Sequence, residues 1–189
     1  MHIEYEVRVL DIDKEKFIQK LEKLGAKKEA DFEYKRRVYD FNPKSNKKWI
    51  RLRTDGNETT LTIKILESLE IDGTKEMEIK VSDFDETDKM LNELGYTSNS
   101  YQENLRTRYI LNNVEIDIDT WPYIPTYVEI EGKSSKDVQE TIKLLEVDES
   151  KVTSIDVKGI HREFYNIDVS QISVAKFDKP LDEKYYIKK

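Results

Sequence analysis

The feature that most constrains this chain is a strict alternation of apolar and charged residues. Ile3-Glu4-Tyr5-Glu6-Val7-Arg8-Val9 places its apolar residues at odd positions and its charges at even ones. Successive residues of a strand point to opposite faces of the sheet, so this period of two predicts a strand with one face for a core and one face wholly charged. The pattern recurs in Ile50-Arg51-Leu52-Arg53, Thr60 to Ile65, Glu76 to Val81, Val114 to Trp121 and Tyr127 to Lys133. Further strands are expected at Phe32–Phe41 and Tyr101–Leu111. Asp55-Gly56 between two alternating runs is a hairpin signal.

Helices are expected between the strands. Asp13 caps a stripe of Phe17, Ile18, Leu21 and Leu24 that ends at Gly25. Phe84, Met90, Leu91 and Leu94 form a second, ending at Gly95, and Val138, Ile142 and Leu145 a third. A fourth is expected from Ser154, as its cap, to about Tyr165. The chain also repeats itself: Gly25 and Gly95, Glu33 and Glu103, Arg36 and Arg106, Tyr39 and Tyr109 are each 70 residues apart. No Pro/Gly/Ser-rich linker divides the copies. One domain with internal pseudo-symmetry is therefore expected over residues 1–167, with 168–189 as an extension of the same domain.

The charged strand faces carry the functional information. Their acids are Glu4, Glu6, Glu76, Glu78, Glu115, Asp117, Asp119, Glu129 and Glu131; their bases are Arg8, Arg51, Arg53, Lys64, Lys80, Arg106 and Arg108. A solvent face normally mixes in Ser, Thr, Asn and Gln, whereas these in-register positions are almost all charged. Eight such strands can close into a barrel that leaves no edges. With the charged faces inward and the amphipathic helices outside, the fold class is α+β, an eight-stranded antiparallel closed β-barrel forming a polar tunnel. Arg and Lys hold phosphate oxygens, and carboxylates in pairs are hard ligands for Mg²⁺ or Mn²⁺. Acids alone would repel a polyphosphate, and bases alone would not need nine acids. The lining implies a small polyanion together with a divalent metal.

Composition narrows the alternatives. Of the 189 residues 38% are charged, and the net charge of −7 argues against a nucleic-acid partner. No Cys is present, which excludes disulfide scaffolds, zinc-thiolate sites and thiol catalysis. No apolar run reaches the ~18 residues of a membrane span, and the first residues do not read as a signal peptide. A cytoplasmic protein without a membrane partner is expected. Oligomeric state is left open, a homodimer included.

At this point the residues resemble a known family. Glu4-x-Glu6-x-Arg8 is similar to the ExExK signature of CYTH domains, the triphosphate tunnel metalloenzymes. Tyr39 to Pro43, Ile50 to Arg53, Leu61 to Lys64, Glu76-x-Glu78, Arg106-x-Arg108, Asp117-x-Asp119 and Tyr127 to Gly132 follow in the family's order. The resemblance covers roughly residues 2–165. It implies that Arg51, Arg53, Lys64, Arg106 and Arg108 grip a triphosphate. It further implies that Glu4, Glu6, Asp119, Glu129 and Glu131 hold Mg²⁺ or Mn²⁺, with Glu76, Glu78 and Asp117 as supporting acids. Where family members use the signature Lys to activate water, this chain has Arg8, whose guanidinium hardly ever gives up its proton. That leaves Glu6 as the better candidate, with Arg8 beside it. The implied activity is hydrolysis of a triphosphate such as tripolyphosphate, thiamine triphosphate or a nucleoside triphosphate. Conversion of ATP to cyclic AMP by a class IV adenylyl cyclase is the alternative, and a non-catalytic triphosphate-binding module a second one.

Overall fold

The structure is a computed structural model that describes residues 1–188; Lys189, the end of the expected 168–189 extension, lies outside the described residues. Eight strands make the barrel: β1 (His2–Val9), β2 (Lys27–Asp40), β3 (Lys48–Thr54), β4 (Thr59–Leu66), β5 (Thr74–Val81), β6 (Ser98–Leu111), β7 (Val114–Trp121) and β8 (Ile124–Gly132). Their order is β6-β2-β3-β4-β5-β1-β8-β7, and pairing of β7 with β6 closes the ring. All eight neighbouring pairs are antiparallel. Short β9 (Val152–Thr153) and β10 (Val174–Ala175) lie outside the ring, on β1 and β6.

Local chemistry sets the turns. Between β3 and β4, Asp55 Oδ1 accepts from the backbone N–H of Asn57 and Glu58 at 2.8 and 2.7 Å, folding the expected hairpin. Between β6 and β7, Asn112 and Asn113 both have positive φ, 52° and 65°, the geometry whose twist matches the flanking strands. β2 is longer than the expected Phe32–Phe41. Lys27 to Ala30 show no alternation, but they pair with Arg108 to Ile110 of β6, so a partner imposes extended structure that local pattern does not.

The repeat has a topological meaning. Strands β1 to β4, with α1 (Lys14–Lys23) after β1, correspond to β5 to β8, with α2 (Phe84–Glu93) after β5. Exchanging each strand for the one four places on leaves every pairing in the ring unchanged, with β2–β6 and β1–β5 each mapped onto itself. Gly25 and Gly95, with φ of 82° and 89°, end the two corresponding helices in a conformation a Cβ disfavours.

The apolar core lies outside the barrel wall. Val7, Ile116, Val128 and Ile130 meet Phe17 and Leu21 of α1 and Val138 of α3 (Ser135–Leu144). On the other side Ile50 and Leu52 meet Leu91 of α2. The helices do not cover the whole barrel: on β5, Met77 and Ile79 are 48% and 56% exposed. The cap of α4 (Val157–Tyr165) is Asp156, not the expected Ser154. Asp156 Oδ1 accepts from Gly159 N–H at 2.8 Å, while Thr153 and Ile155 are already committed to β1 and Arg8. After α4 the chain packs Ile167, Val169, Ile172 and Ala175 against Trp121, Ile124 and Ile160. Among the described residues no helix is long and apolar enough to cross a membrane.

Candidate active site

The barrel interior is a cavity of about 490 Å³. Alternation delivers side chains to it from every strand of the ring. The residues Glu4, Glu6 and Arg8 of β1, Arg51 and Arg53 of β3, Lys64 of β4, Glu76 and Glu78 of β5, Arg106 and Arg108 of β6, Glu115 and Asp119 of β7, and Glu129 and Glu131 of β8 all line it. Asp117 is buried behind the arginines of β6, and Lys80 stands at the rim, exposed and paired with Glu58. Lys80 therefore departs from the expected lining, because its strand runs past the end of the enclosed volume.

Three carboxylates converge. One oxygen each from Glu6, Glu129 and Glu131 lies within 4.8 Å of the other two. The register explains this: Glu6 sits opposite Glu131, and Arg8 opposite Glu129. Burial raises the pKa of Glu6, and neighbouring Glu129 and Glu4 add to it, against the opposing pull of Arg8. Burial likewise pushes Glu131 up to about 8, helped by Glu6 and Glu129. Glu129 goes the other way despite its burial, because Arg8 and Arg106 outweigh that cost and hold it well below the usual carboxylate range. The expected metal residues Glu4 and Asp119 line the same cavity but are otherwise engaged. Glu4 accepts from Lys64 Nζ at 2.9 Å on both oxygens, and Asp119 accepts from Arg106 at 2.7 and 2.5 Å.

The bases fall into two groups. Arg106 also donates to Asp117 Oδ2 at 2.5 Å and Glu129 Oε1 at 3.1 Å, so carboxylates occupy its whole fork. Arg108 is bonded twice to Asp117, at 2.8 and 2.7 Å, and pairs with Glu115 at 2.7 Å. Arg8 bridges Glu6 and Glu129, at 2.8 Å each, and donates to Ile155 O at 3.2 Å. These three cations bind the acidic wall to itself. Arg51 and Arg53 are less neutralised, sharing Glu78 at 3.2 and 3.7 Å. Burial and the nearby Arg51 lower the Arg53 pKa to about 10. Thr62 donates to Glu78 Oε2 at 2.6 Å and fixes that acid in place.

Sequence reasoning missed Arg36, Asn104 and His161 as parts of this site. Arg36, Asn104 and Tyr127 are buried on the inner face, and His161 of α4 closes on the cavity with its Nδ1 2.8 Å from Val157 O. Arg36 had a signal, its 70-residue match to Arg106. His161 is 2% exposed, with its ring nitrogens against Val157 O at 2.8 Å and Pro122 O at 3.4 Å.

A family model, the CYTH domain, matches residues 2–164. No curated protein matches. Among solved structures, the PH1012 protein of Pyrococcus horikoshii is 22% identical with a TM-score of 0.73, aligned over 82% of this chain and 96% of its own. A putative adenylate cyclase from Vibrio parahaemolyticus is 13% identical with a TM-score of 0.71, over 84% of this chain and 97% of its own. A putative adenylyl cyclase from Hippeastrum, described as having a dominant triphosphatase activity, is 13% identical with a TM-score of 0.59, over 87% of this chain and 96% of its own. These likenesses show a shared fold. With the match spanning both copies of the repeat and every strand of the tunnel, the chain belongs to the CYTH domain family.

Proposed function

We propose that this chain is a metal-dependent hydrolase of a triphosphate compound. One observation carries the reading: the enclosed tunnel sets three converging carboxylates against cations that the acids do not fully neutralise. The donor set fits a divalent cation. Glu6, Glu129 and Glu131 offer hard oxygens, and Glu131 makes no ion pair among the described residues. Mg²⁺ or Mn²⁺ suits such donors, and when bound it would neutralise charge on phosphate oxygens.

The chain's own groups then divide the work. Arg51, Arg53 and Lys64 hold the phosphate chain, a task of positioning and charge stabilisation. Arg8 is a positioning residue, because both of its carboxylate partners belong to the acidic cluster. It fixes Oε1 of Glu6 at 2.8 Å, and the other oxygen remains to accept a proton from water. The water oxygen bonds to the terminal phosphorus, the bridging P–O bond breaks, and orthophosphate leaves a diphosphate behind.

Phosphate release from tripolyphosphate, thiamine triphosphate and ATP, each with Mg²⁺ and Mn²⁺, tests this. Release of orthophosphate from at least one substrate is expected, with a loss of about 100-fold or more in Glu6→Gln. Arg53→Ala is expected to lower kcat/KM as well. Cyclic AMP and pyrophosphate from ATP would replace the hydrolase with a cyclase. Binding without turnover under either metal would leave a binding module.

A further inference from the structure

The tunnel's cations differ in how they are neutralised, and Arg36 stands apart. Arg8, Lys64, Arg106 and Arg108 each have a carboxylate oxygen within 2.9 Å. Arg36 has no carboxylate partner among the described residues, yet it is only 7% exposed. Its Nη2 donates to Asn104 Oδ1, and its Nε makes no hydrogen bond. The guanidinium carbon lies 4.4 Å from the Trp121 ring centroid and 6.0 Å from that of Tyr34.

A buried cation without a counter-charge is costly. The register adds to the cost, since Arg36 sits directly opposite Arg53, and like charges across a strand pair repel. Burial and the nearby Arg51, Arg53 and Arg106 together push its pKa well below the ordinary guanidinium range. What holds it is orientation without neutralisation. Asn104 donates its amide to Asp119 Oδ1 at 3.3 Å, which turns the amide oxygen toward Arg36. The Trp121 face supports the guanidinium from a second direction. Arg36 itself lines the cavity. A donor that is held in place but keeps its charge is preorganised for an anion.

We propose that Arg36 is a substrate-binding residue, whose guanidinium, held by Asn104 and Trp121, grips phosphate oxygens of the triphosphate beside Arg51 and Arg53. This assignment rests on the reading of the tunnel as a triphosphate site. It accounts for the juxtaposition of Arg36 with Arg53, because a polyanion would neutralise both at once. It also makes a stability claim: without ligand, Arg36 repels its neighbours more than it supports the fold.

The test uses the full chain and imidotriphosphate, whose P–N–P bridges resist hydrolysis, with saturating Mg²⁺. Calorimetric titration gives affinity, and thermal melting without ligand gives stability. In Arg36→Gln, affinity is expected to fall about tenfold or more, while the melting temperature stays level or rises. Arg36→Lys, which keeps charge but loses the fork, is expected to fall between Arg36→Gln and wild type in affinity. Three results would overturn the assignment: affinity within twofold of wild type in Arg36→Gln, a lowered melting temperature in both variants, or an Arg36→Lys affinity no better than that of Arg36→Gln. If the wild type itself fails to bind imidotriphosphate, the triphosphate reading of the tunnel falls, and the Arg36 assignment with it.

Discussion

Glu131 is the carboxylate of the cluster that no cation among the described residues holds directly. Its pKa of about 8 in the fold lies above the ordinary carboxylate value, so the folded state keeps a proton that the unfolded state gives up. By linkage, the metal-free protein loses stability as pH rises from the ordinary carboxylate range to about 8. Glu131→Gln removes that penalty. Melting in EDTA above pH 8 is expected to show a higher midpoint for the variant, and added Mg²⁺ or Mn²⁺ to stabilise it less than wild type. An unchanged response to metal would remove Glu131 from the cation site. Arg106 makes the opposite prediction. Its fork separates Asp117, Asp119 and Glu129, three buried acids. Arg106→Ala leaves Asp119 without its ion-pair partner, while Asp117 keeps Arg108 and Glu129 keeps Arg8, and it is expected to cost about 3–5 kcal/mol, read by urea unfolding.

Among the elements, α4 and the segment after it do most to shape one end of the tunnel. Ile160 is fully buried between Trp121, Ile124 and the residues around Ile167. Ile160→Ala is expected to cost about 2–5 kcal/mol by urea unfolding. The residues responsible were hard to read from sequence. Ile167, Val169, Ile172 and Ala175 follow neither a period of two nor one of 3.6, because a chain that drapes over a barrel end buries whatever side chains meet the surface. β2 illustrates the same limit. Glu33-Tyr34-Lys35-Arg36-Arg37 carries charge on both faces, since Arg36 faces the tunnel while Arg37 pairs with Asp88 outside. Arg36 was visible as one half of a repeat, but not as part of a wall.

At the scale of the whole molecule, the two copies of the repeat have diverged in charge. The exchange that preserves the strand pairings maps β3, with Arg51 and Arg53, onto β7, with Asp117 and Asp119. It maps β4, with Lys64, onto β8, with Glu129 and Glu131. The basic side chains of β3 and β4 and the acidic ones of β7 and β8 thus line one cavity, and under the proposed function a polyanion and a cation would each have its own side of it. Their binding is expected to be coupled: saturating Mg²⁺ tightens imidotriphosphate binding, and saturating imidotriphosphate tightens Mg²⁺ binding by the same factor. Calorimetric titrations in both orders check this, and independent affinities would contradict a shared cavity.

The alternation in Glu4-Tyr5-Glu6-Val7-Arg8, and in five other strands, determined by itself that the barrel would have a charged face and an apolar one, because side chains alternate along any strand. The spacing of 70 determined the pseudo-symmetry, because matched residues imply matched elements. Only the closed tertiary structure decided which charges are spent on each other. Arg106 and Arg108 look like Arg51 and Arg53 in sequence, yet β7 places Asp117 and Asp119 against the first pair, whereas β4 places Thr62 and Thr60 against the second. Cross-strand register sets the partner of every inward charge, and register is a property of the assembled sheet.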